Sequence, residues 1–228
     1  STQYGTLDTN TITPTHIEQW FAERNWARST IDGVIAKIGP FFTWCVREGY
    51  CENNPCKAVK RPRSDDSPPS IFTPSESRKL LLTAFKTDPG MIPYLAIGLF
   101  AGVRPLEIQR LQQQDITDQY IEITAAKAKT RKRRLVSLSD NLKEWIALGG
   151  DLPLTNKPKR LARVLHIAGL KWKPDIMRHS FASYHLAMYR SADKTAFELG
   201  HRDSKMLFAH YRELVTQEAA QAYWAIRP

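Results

Sequence analysis

Apolar residues recur every three or four positions in two N-terminal stretches, 14–25 and 29–49, and this spacing predicts two amphipathic helices. Thr13 before Pro14 gives the first helix an N-cap and a proline at its first position. Pro40 lies inside the second stretch and is expected to kink or divide that helix. The first part of the chain is therefore predicted to be a small helical unit.

The composition changes between residues 53 and 70, where Asn, Pro, Lys and Arg replace large apolar residues. We therefore predict a helical domain over 1–60, a basic Pro-rich linker over 61–70 and a larger domain over 71–228. The basic positions either follow a phosphate backbone or belong to a solvated tether, and the composition favours neither. These candidate DNA-binding residues are Lys57, Lys60, Arg61 and Arg63.

The larger domain starts with a capping box, in which Thr73 is followed by Pro74 and then by Glu76. Alternating apolar residues predict two strands, 120–124 and 134–138, joined as a hairpin. Helical spacing predicts further helices at 80–85, 91–100, 139–147, 157–169, 174–188, 191–198, 203–212 and 215–225. The predicted fold class is mainly α with a small β-hairpin.

Charge and cysteine content narrow the range of partners. The 33 Lys and Arg residues against 23 Asp and Glu give a net charge of +10, which points to a polyanion, most commonly a nucleic acid. The three cysteines show neither a disulfide framework nor zinc-site spacing, so a reducing compartment is expected. A membrane-length apolar run and a signal-peptide profile are both missing, so we expect a cytoplasmic protein without a membrane partner.

Residues 127–134 place six cations in eight positions at the predicted hairpin tip. Like charges at this density repel one another, so contact with DNA is favoured over a plain solvated loop. Lys129 is placed to protonate a leaving oxygen. The other candidate DNA-binding residues of the hairpin are Lys127, Arg131, Lys132, Arg133 and Arg134.

Four further side chains could act on a phosphodiester. Arg104 precedes Pro105 at a helix start, where Glu107 could hold its guanidinium in a bidentate pair. Arg178, His201 and Tyr211 follow in the C-terminal third. Each is individually most often an ordinary surface or packed residue, but their joint occurrence favours phosphodiester chemistry. Tyr184 is the second candidate tyrosine, and we expect it to pack instead.

The series Gly102-Val103-Arg104, Lys129, Arg178-His179-Ser180-Phe181-Ala182, Leu199-Gly200-His201 and Tyr211 resembles the tyrosine recombinases, or phage integrases. The resemblance covers residues 71–225 as the catalytic domain. Residues 13–60 are similar, more loosely, to the helical core-binding domain of that family, part of which is expected to be missing. The resemblance also implies a prokaryotic or phage-encoded, nucleoid-associated protein.

The resemblance implies a mechanism without a cofactor or metal ion. Tyr211 attacks the scissile phosphate to form a 3′-phosphotyrosyl bond, and Lys129 protonates the departing 5′ oxygen. Arg104 and Arg178 grip the non-bridging oxygens, and His201 hydrogen-bonds one of them. The expected partners are double-stranded DNA and accessory DNA-bending or directionality factors. The protein is also expected to form a homotetramer on DNA and to be a monomer when free.

One position departs from the family pattern. Asp175 stands where a histidine is usual, three residues before Arg178. We expect Asp175 to accept the tyrosine proton or to orient a neighbour while activity persists. Two alternatives to a recombinase remain open, a catalytically impaired site-specific DNA-binding protein and an enzyme that relaxes DNA like a type IB topoisomerase. The apolar C-terminal segment 215–226 either docks on a neighbouring protomer or packs in its own domain.

Overall fold

A computed structural model describes residues 7–62, 68–129, 131–201 and 215–228. The chain divides into two compact units, 1–67 and 68–228. Of the predicted residues, Arg63, Tyr211 and the helix over 203–212 lie outside the described ranges. Within those ranges, every helix is too short or too polar to traverse a lipid bilayer.

The first unit is built on two helices, α1 (Pro14–Ala22) and α2 (Arg28–Arg47). Thr13 caps α1 as predicted, since its side chain accepts from the His16 N–H at 3.3 Å. Of the two outcomes predicted for Pro40, a kink or a division, division of the second helix is wrong, because α2 continues through Pro40. The helices enclose a small core together with residues of the following segment, among them the buried Cys56 and Val59.

The second unit is larger and mainly helical. Its helices are α3 (Pro74–Thr87), α4 (Ile92–Phe100), α5 (Pro105–Ile108), α6 (Asp140–Ala147), α7 (Lys157–Ala168), α8 (Ile176–Tyr189), α9 (Ala192–Leu199) and α10 (Gln217–Trp224). Short 3-10 turns occur at Thr9–Thr11 and Pro55–Lys57 in the first unit and at Pro89–Met91 and Gln113–Asp115 in the second. All nine residues of α4 are buried, so this helix forms the centre of the core against α3, α6 and α8.

One antiparallel hairpin accompanies these helices, formed by β1 (Tyr120–Ile123) and β2 (Arg134–Ser137). The register pairs Ile123 with Arg134 and Ile121 with Val136. Because alternate residues of a strand share a face, Arg134 lies on the same side of β2 as the buried Val136. The predicted fold class, mainly helical with one small hairpin, is confirmed.

The C-terminal helix α10 packs in its own domain, the second of the two alternatives for this segment. Tyr223 is fully buried, and its hydroxyl donates to the Leu99 carbonyl oxygen at 2.6 Å. The ring of Tyr223 also stacks on Tyr184 at a centroid distance of 4.0 Å. Helix α10 therefore completes the core around α4 and α8.

Candidate active site

A cavity of about 710 Å³ lies between the hairpin loop, α5 and the start of α8. Four of the six predicted catalytic residues line it: Arg104, Lys129, Asp175 and Arg178. His201 adjoins it through Arg178, whose Nη2 lies 2.9 Å from His201 Nε2. Tyr211 belongs to the segment outside the described residues.

Arg178 is a buried arginine oriented by main-chain oxygens. Its Nη1 donates to the Gly102 carbonyl at 2.5 Å, and its Nη2 donates to the Leu199 carbonyl at 2.7 Å. A guanidinium has only donors, so His201 Nε2 is the acceptor in the contact with Arg178. These contacts fix the guanidinium plane and join α8 to the ends of α4 and α9.

Gly102 is required where Arg178 binds the main chain. Its φ of +59° lies in the left-handed region, and a Cβ there would come within 2.4 Å of the Phe181 ring. Phe181 lies one helical turn beyond Arg178 on α8. The glycine thus lets α8 approach closely enough for Arg178 to reach the Gly102 carbonyl.

Glu107 is the carboxylate at the centre of the hairpin side of the cavity. It is only 1 % exposed, and its bidentate partner is Arg134, at 2.5 and 3.3 Å, instead of the predicted Arg104. Arg104 Nη1 lies 3.4 Å from Glu107 Oε1, and the Lys129 N–H donates to the same oxygen at 3.0 Å. Burial alone would raise the pKa of Glu107, but the hydrogen bonds and charges of these neighbours lower it to about 2.

The hairpin cations fall into two groups. Three are paired with carboxylates: Lys127 with Asp115, Arg133 with Glu122, and Arg134 with Glu107. Lys129, Arg131 and Lys132 are exposed, and the first two line the cavity. The dense charge of the loop is therefore partly compensated inside the protein, and a count of basic residues does not reveal this pairing.

Arg134 departs most from its predicted place on a DNA-binding surface. Its side chain is 12 % exposed, because it shares the inner face of β2 with Val136. The alternation of this strand was the sequence signal that could have revealed its orientation. In the first unit, Lys57, Lys60 and Arg61 are exposed, and Arg61 lies 3.2 Å from Asp32.

Asp175 and Tyr184 occupy different environments. Asp175 is exposed at the N-cap of α8 with a φ of +55°, a left-handed conformation that Asp adopts more readily than most residues. Tyr184 is buried and donates to the Phe72 carbonyl at 2.9 Å. Burial and the charge of Glu76 raise the pKa of Tyr184 to about 12, which suits its packing role.

Among the described residues, His, Cys, Asp and Glu side chains form no cluster of three or more that could hold a metal ion. The positive charge of the cavity comes from its own Arg and Lys residues. The arrangement can therefore bind a phosphate through planar guanidinium donors and deliver a proton from an ammonium group.

Comparisons with known proteins find relatives by sequence and by fold. No protein-family model matches the chain. The chain is 23% identical to a tyrosine recombinase of Pseudothermotoga lettingae over 203 residues, 78% of this chain and 70% of the relative. It is 31% identical to a tyrosine recombinase of Thermosipho africanus over 126 residues, 53% of this chain and 44% of the relative.

The fold is also that of solved integrases. A lambda integrase dimer bound to a COC' core site superposes with a TM-score of 0.71 at 16% identity, covering 91% of this chain and 68% of that one. A lambda integrase tetramer bound to a Holliday junction gives 0.69 at 16% identity, covering 86% and 64%. The chain is therefore similar in sequence to proteins named tyrosine recombinases and shares the fold of lambda integrase.

Proposed function

We propose that this chain is a site-specific DNA recombinase of the integrase type, which cleaves and rejoins DNA through a 3′-phosphotyrosyl bond to Tyr211. The observation that carries the proposal is the cavity, which gathers Arg104, Lys129 and Arg178 from three separate segments. These residue types suit a phosphodiester, because guanidinium forks match its non-bridging oxygens and an ammonium can supply a proton.

The reaction is a pair of transesterifications. The Tyr211 oxygen attacks phosphorus, the bond to the 5′ oxygen breaks, and Lys129 gives that oxygen a proton. Arg104 and Arg178 stabilise the charge that grows on the non-bridging oxygens in the transition state. His201, whose Nε2 lies 2.9 Å from Arg178 Nη2, is proposed to hydrogen-bond a non-bridging phosphate oxygen. Attack by a 5′ hydroxyl reverses the sequence and rejoins the strand.

Asp175 is proposed to accept the tyrosine proton. It lines the cavity near Arg178, and its charge is close enough to help burial raise the pKa of Tyr94 to about 12. Asp175→Asn keeps a residue that tolerates the left-handed backbone and removes only the charge. Cleavage by Asp175→Asn should be slower than that of the original protein, and equal rates from pH 6 to 9 would exclude the acceptor role.

Double-stranded DNA is the proposed substrate, and the active assembly is proposed to be a tetramer on two DNA sites. The net charge of +10 and the exposed Lys57, Lys60, Arg131 and Lys132 supply contacts to phosphates. The lambda integrase structures of the same fold are a dimer on a core site and a tetramer on a Holliday junction.

A nicked suicide DNA substrate tests the chemistry directly. The target duplex carries a nick next to the scissile phosphate, so the short 5′ fragment diffuses away and the covalent complex cannot be resealed. We expect a covalent protein–DNA complex with the original protein and none with Tyr211→Phe. Equal trapping by both proteins would place the nucleophile elsewhere. Binding of the duplex without covalent attachment by either would identify a non-catalytic DNA-binding protein.

A further inference from the structure

Arg134 stands at the start of β2 with its guanidinium turned into the domain. Nη2 lies 2.5 Å from Glu107 Oε2 and Nη1 lies 3.3 Å from Glu107 Oε1, a parallel two-point contact. With 12 % of its side chain exposed, Arg134 is more enclosed than its neighbour Arg133, whose side chain is 62 % exposed. These two adjacent arginines therefore have different surroundings.

Glu107 also contacts two other parts of the site. Its Oε1 accepts the Lys129 N–H at 3.0 Å, which ties the hairpin loop to α5. The same oxygen lies 3.4 Å from Arg104 Nη1. The position of one carboxylate thus affects both the Lys129 loop and the first arginine of the cavity.

The stem of Arg134 also packs against the end of α9. A Cβ on Gly200 would come within 2.9 Å of Arg134 Cδ, and Gly200 has a φ of +65°. Gly200 directly precedes His201. Arg134 therefore contacts the segment that carries His201 as well as the carboxylate that orders Arg104 and Lys129.

We infer that Arg134 is a positioning residue of the recombinase site, which holds Glu107 so that Arg104 stays available to the phosphate and the Lys129 loop keeps its place. The inference rests on the proposed function. Glu107 is buried, and a buried carboxylate needs a cationic partner. Without Arg134, the guanidinium within reach is that of Arg104, which would be drawn from the phosphate to Glu107.

A matched pair of variants tests this role. Arg134→Gln and Arg133→Gln each remove one positive charge at adjacent positions, so long-range attraction to DNA falls equally. In single-turnover cleavage of the suicide substrate at saturating protein, we expect Arg134→Gln to be slower by roughly 100-fold, because small displacements of catalytic groups have large effects on rate. Arg133→Gln loses an exposed ion pair with Glu122, and any DNA contact it loses affects binding, which saturating protein offsets, so its rate should fall far less than that of Arg134→Gln.

Rescue by a second substitution separates positioning from general loss of structure. In Arg134→Gln/Glu107→Gln the uncompensated carboxylate is gone, so Arg104 is no longer drawn to it. We expect the double variant to recover at least about tenfold of the rate lost in Arg134→Gln, the scale of one moderate coupling energy. A double variant as slow as or slower than Arg134→Gln, with both variants folded at the assay temperature by circular dichroism, would overturn the inference. Should Arg134→Gln fail to fold, Arg134→Lys, which keeps the charge but loses the two-point contact, takes its place.

Hydrogen exchange provides a readout that does not depend on cleavage. In the DNA-free chain, the Lys129 amide is expected to exchange faster in Arg134→Gln than in Arg133→Gln, because its acceptor moves toward Arg104. Equal exchange over residues 125–133 in the two variants would refute the coupling through Glu107. An original protein that forms no covalent complex would refute the proposed function alone, since the exchange comparison still decides whether Arg134 orders the loop.

Discussion

The two walls of the cavity hold their cations with different kinds of acceptor. On the α8 wall, Arg178 donates to the main-chain carbonyls of Gly102 and Leu199. On the hairpin wall, Lys127 is paired with the carboxylate of Asp115, and Arg134, which lies behind the lining, is paired with the lining residue Glu107. Carbonyl oxygens orient a guanidinium without cancelling its charge, whereas a carboxylate both orients and compensates its partner.

This difference separates two tasks within one basic site. Arg178 is oriented for a ligand by two neutral carbonyls, that of Gly102 just after α4 and that of Leu199 at the end of α9. Arg134 and Lys127 brace the loop that carries Lys129, and their charge is largely directed at the protein itself. The number of cations in the hairpin therefore overstates the charge that it can offer to DNA.

The largest effect is expected from Arg178→Lys on the α8 wall. A lysine keeps the charge but lacks the planar fork that reaches both carbonyls, so it cannot hold a phosphate in the same orientation. Single-turnover cleavage should fall by about 100- to 1000-fold, as for loss of a transition-state donor. Arg227→Lys is the control, because Arg227 pairs with the exposed Glu144 away from the cavity. Comparable rates for the two variants would mean that charge alone suffices at position 178.

The hairpin wall should respond to acid through Glu107. Its folded-state pKa of about 2 is below that of an unfolded glutamate, so it stabilises the fold at a pH above about 4.3 and loses this contribution as the pH falls toward 2. The difference in unfolding free energy between the original protein and Glu107→Gln should therefore be about 3 kcal/mol at pH 6 and shrink toward pH 2.

Denaturant unfolding at a series of pH values measures this difference. Glu144→Gln serves as the control, since the Glu144 side chain is 51 % exposed and pairs with Arg227. A surface pair of this kind contributes at most about 1 kcal/mol, so its curve should follow that of the original protein. A Glu107→Gln difference that does not change between pH 6 and 2 would show that Glu107 acts by packing and not by charge.

The sequence predicts the local features of this fold better than the contacts between distant residues. Local signals were sufficient for the helix starts at Thr13 and Thr73, because a cap and its N–H partner lie within three residues of each other. The family motifs also supplied Arg104, Lys129, Asp175 and Arg178, which the fold brings to one cavity. The part played by Arg134 depends on a partner 27 residues away, and a count of basic residues cannot distinguish an inward cation from an outward one.

The smallest expected effect is on the salt dependence of DNA binding, in which the exposed Lys132 and the inward-facing Lys127 of the hairpin are compared. Lys132 is exposed, so Lys132→Ala should remove one phosphate contact and reduce the slope of log Kobs against log salt by about 0.9. Lys127 has 19 % of its side chain exposed and pairs with the buried Asp115, so Lys127→Ala should leave the slope nearly unchanged and lower stability by about 1–3 kcal/mol. The slopes are measured by titrating a fluorescent duplex at salt concentrations between 50 and 200 mM. Counterion release is readily resolved over this range. If Lys127→Ala reduced the slope as much as Lys132→Ala, the inward lysine would have to exchange Asp115 for a phosphate on binding, and the hairpin wall would be a DNA contact rather than a brace.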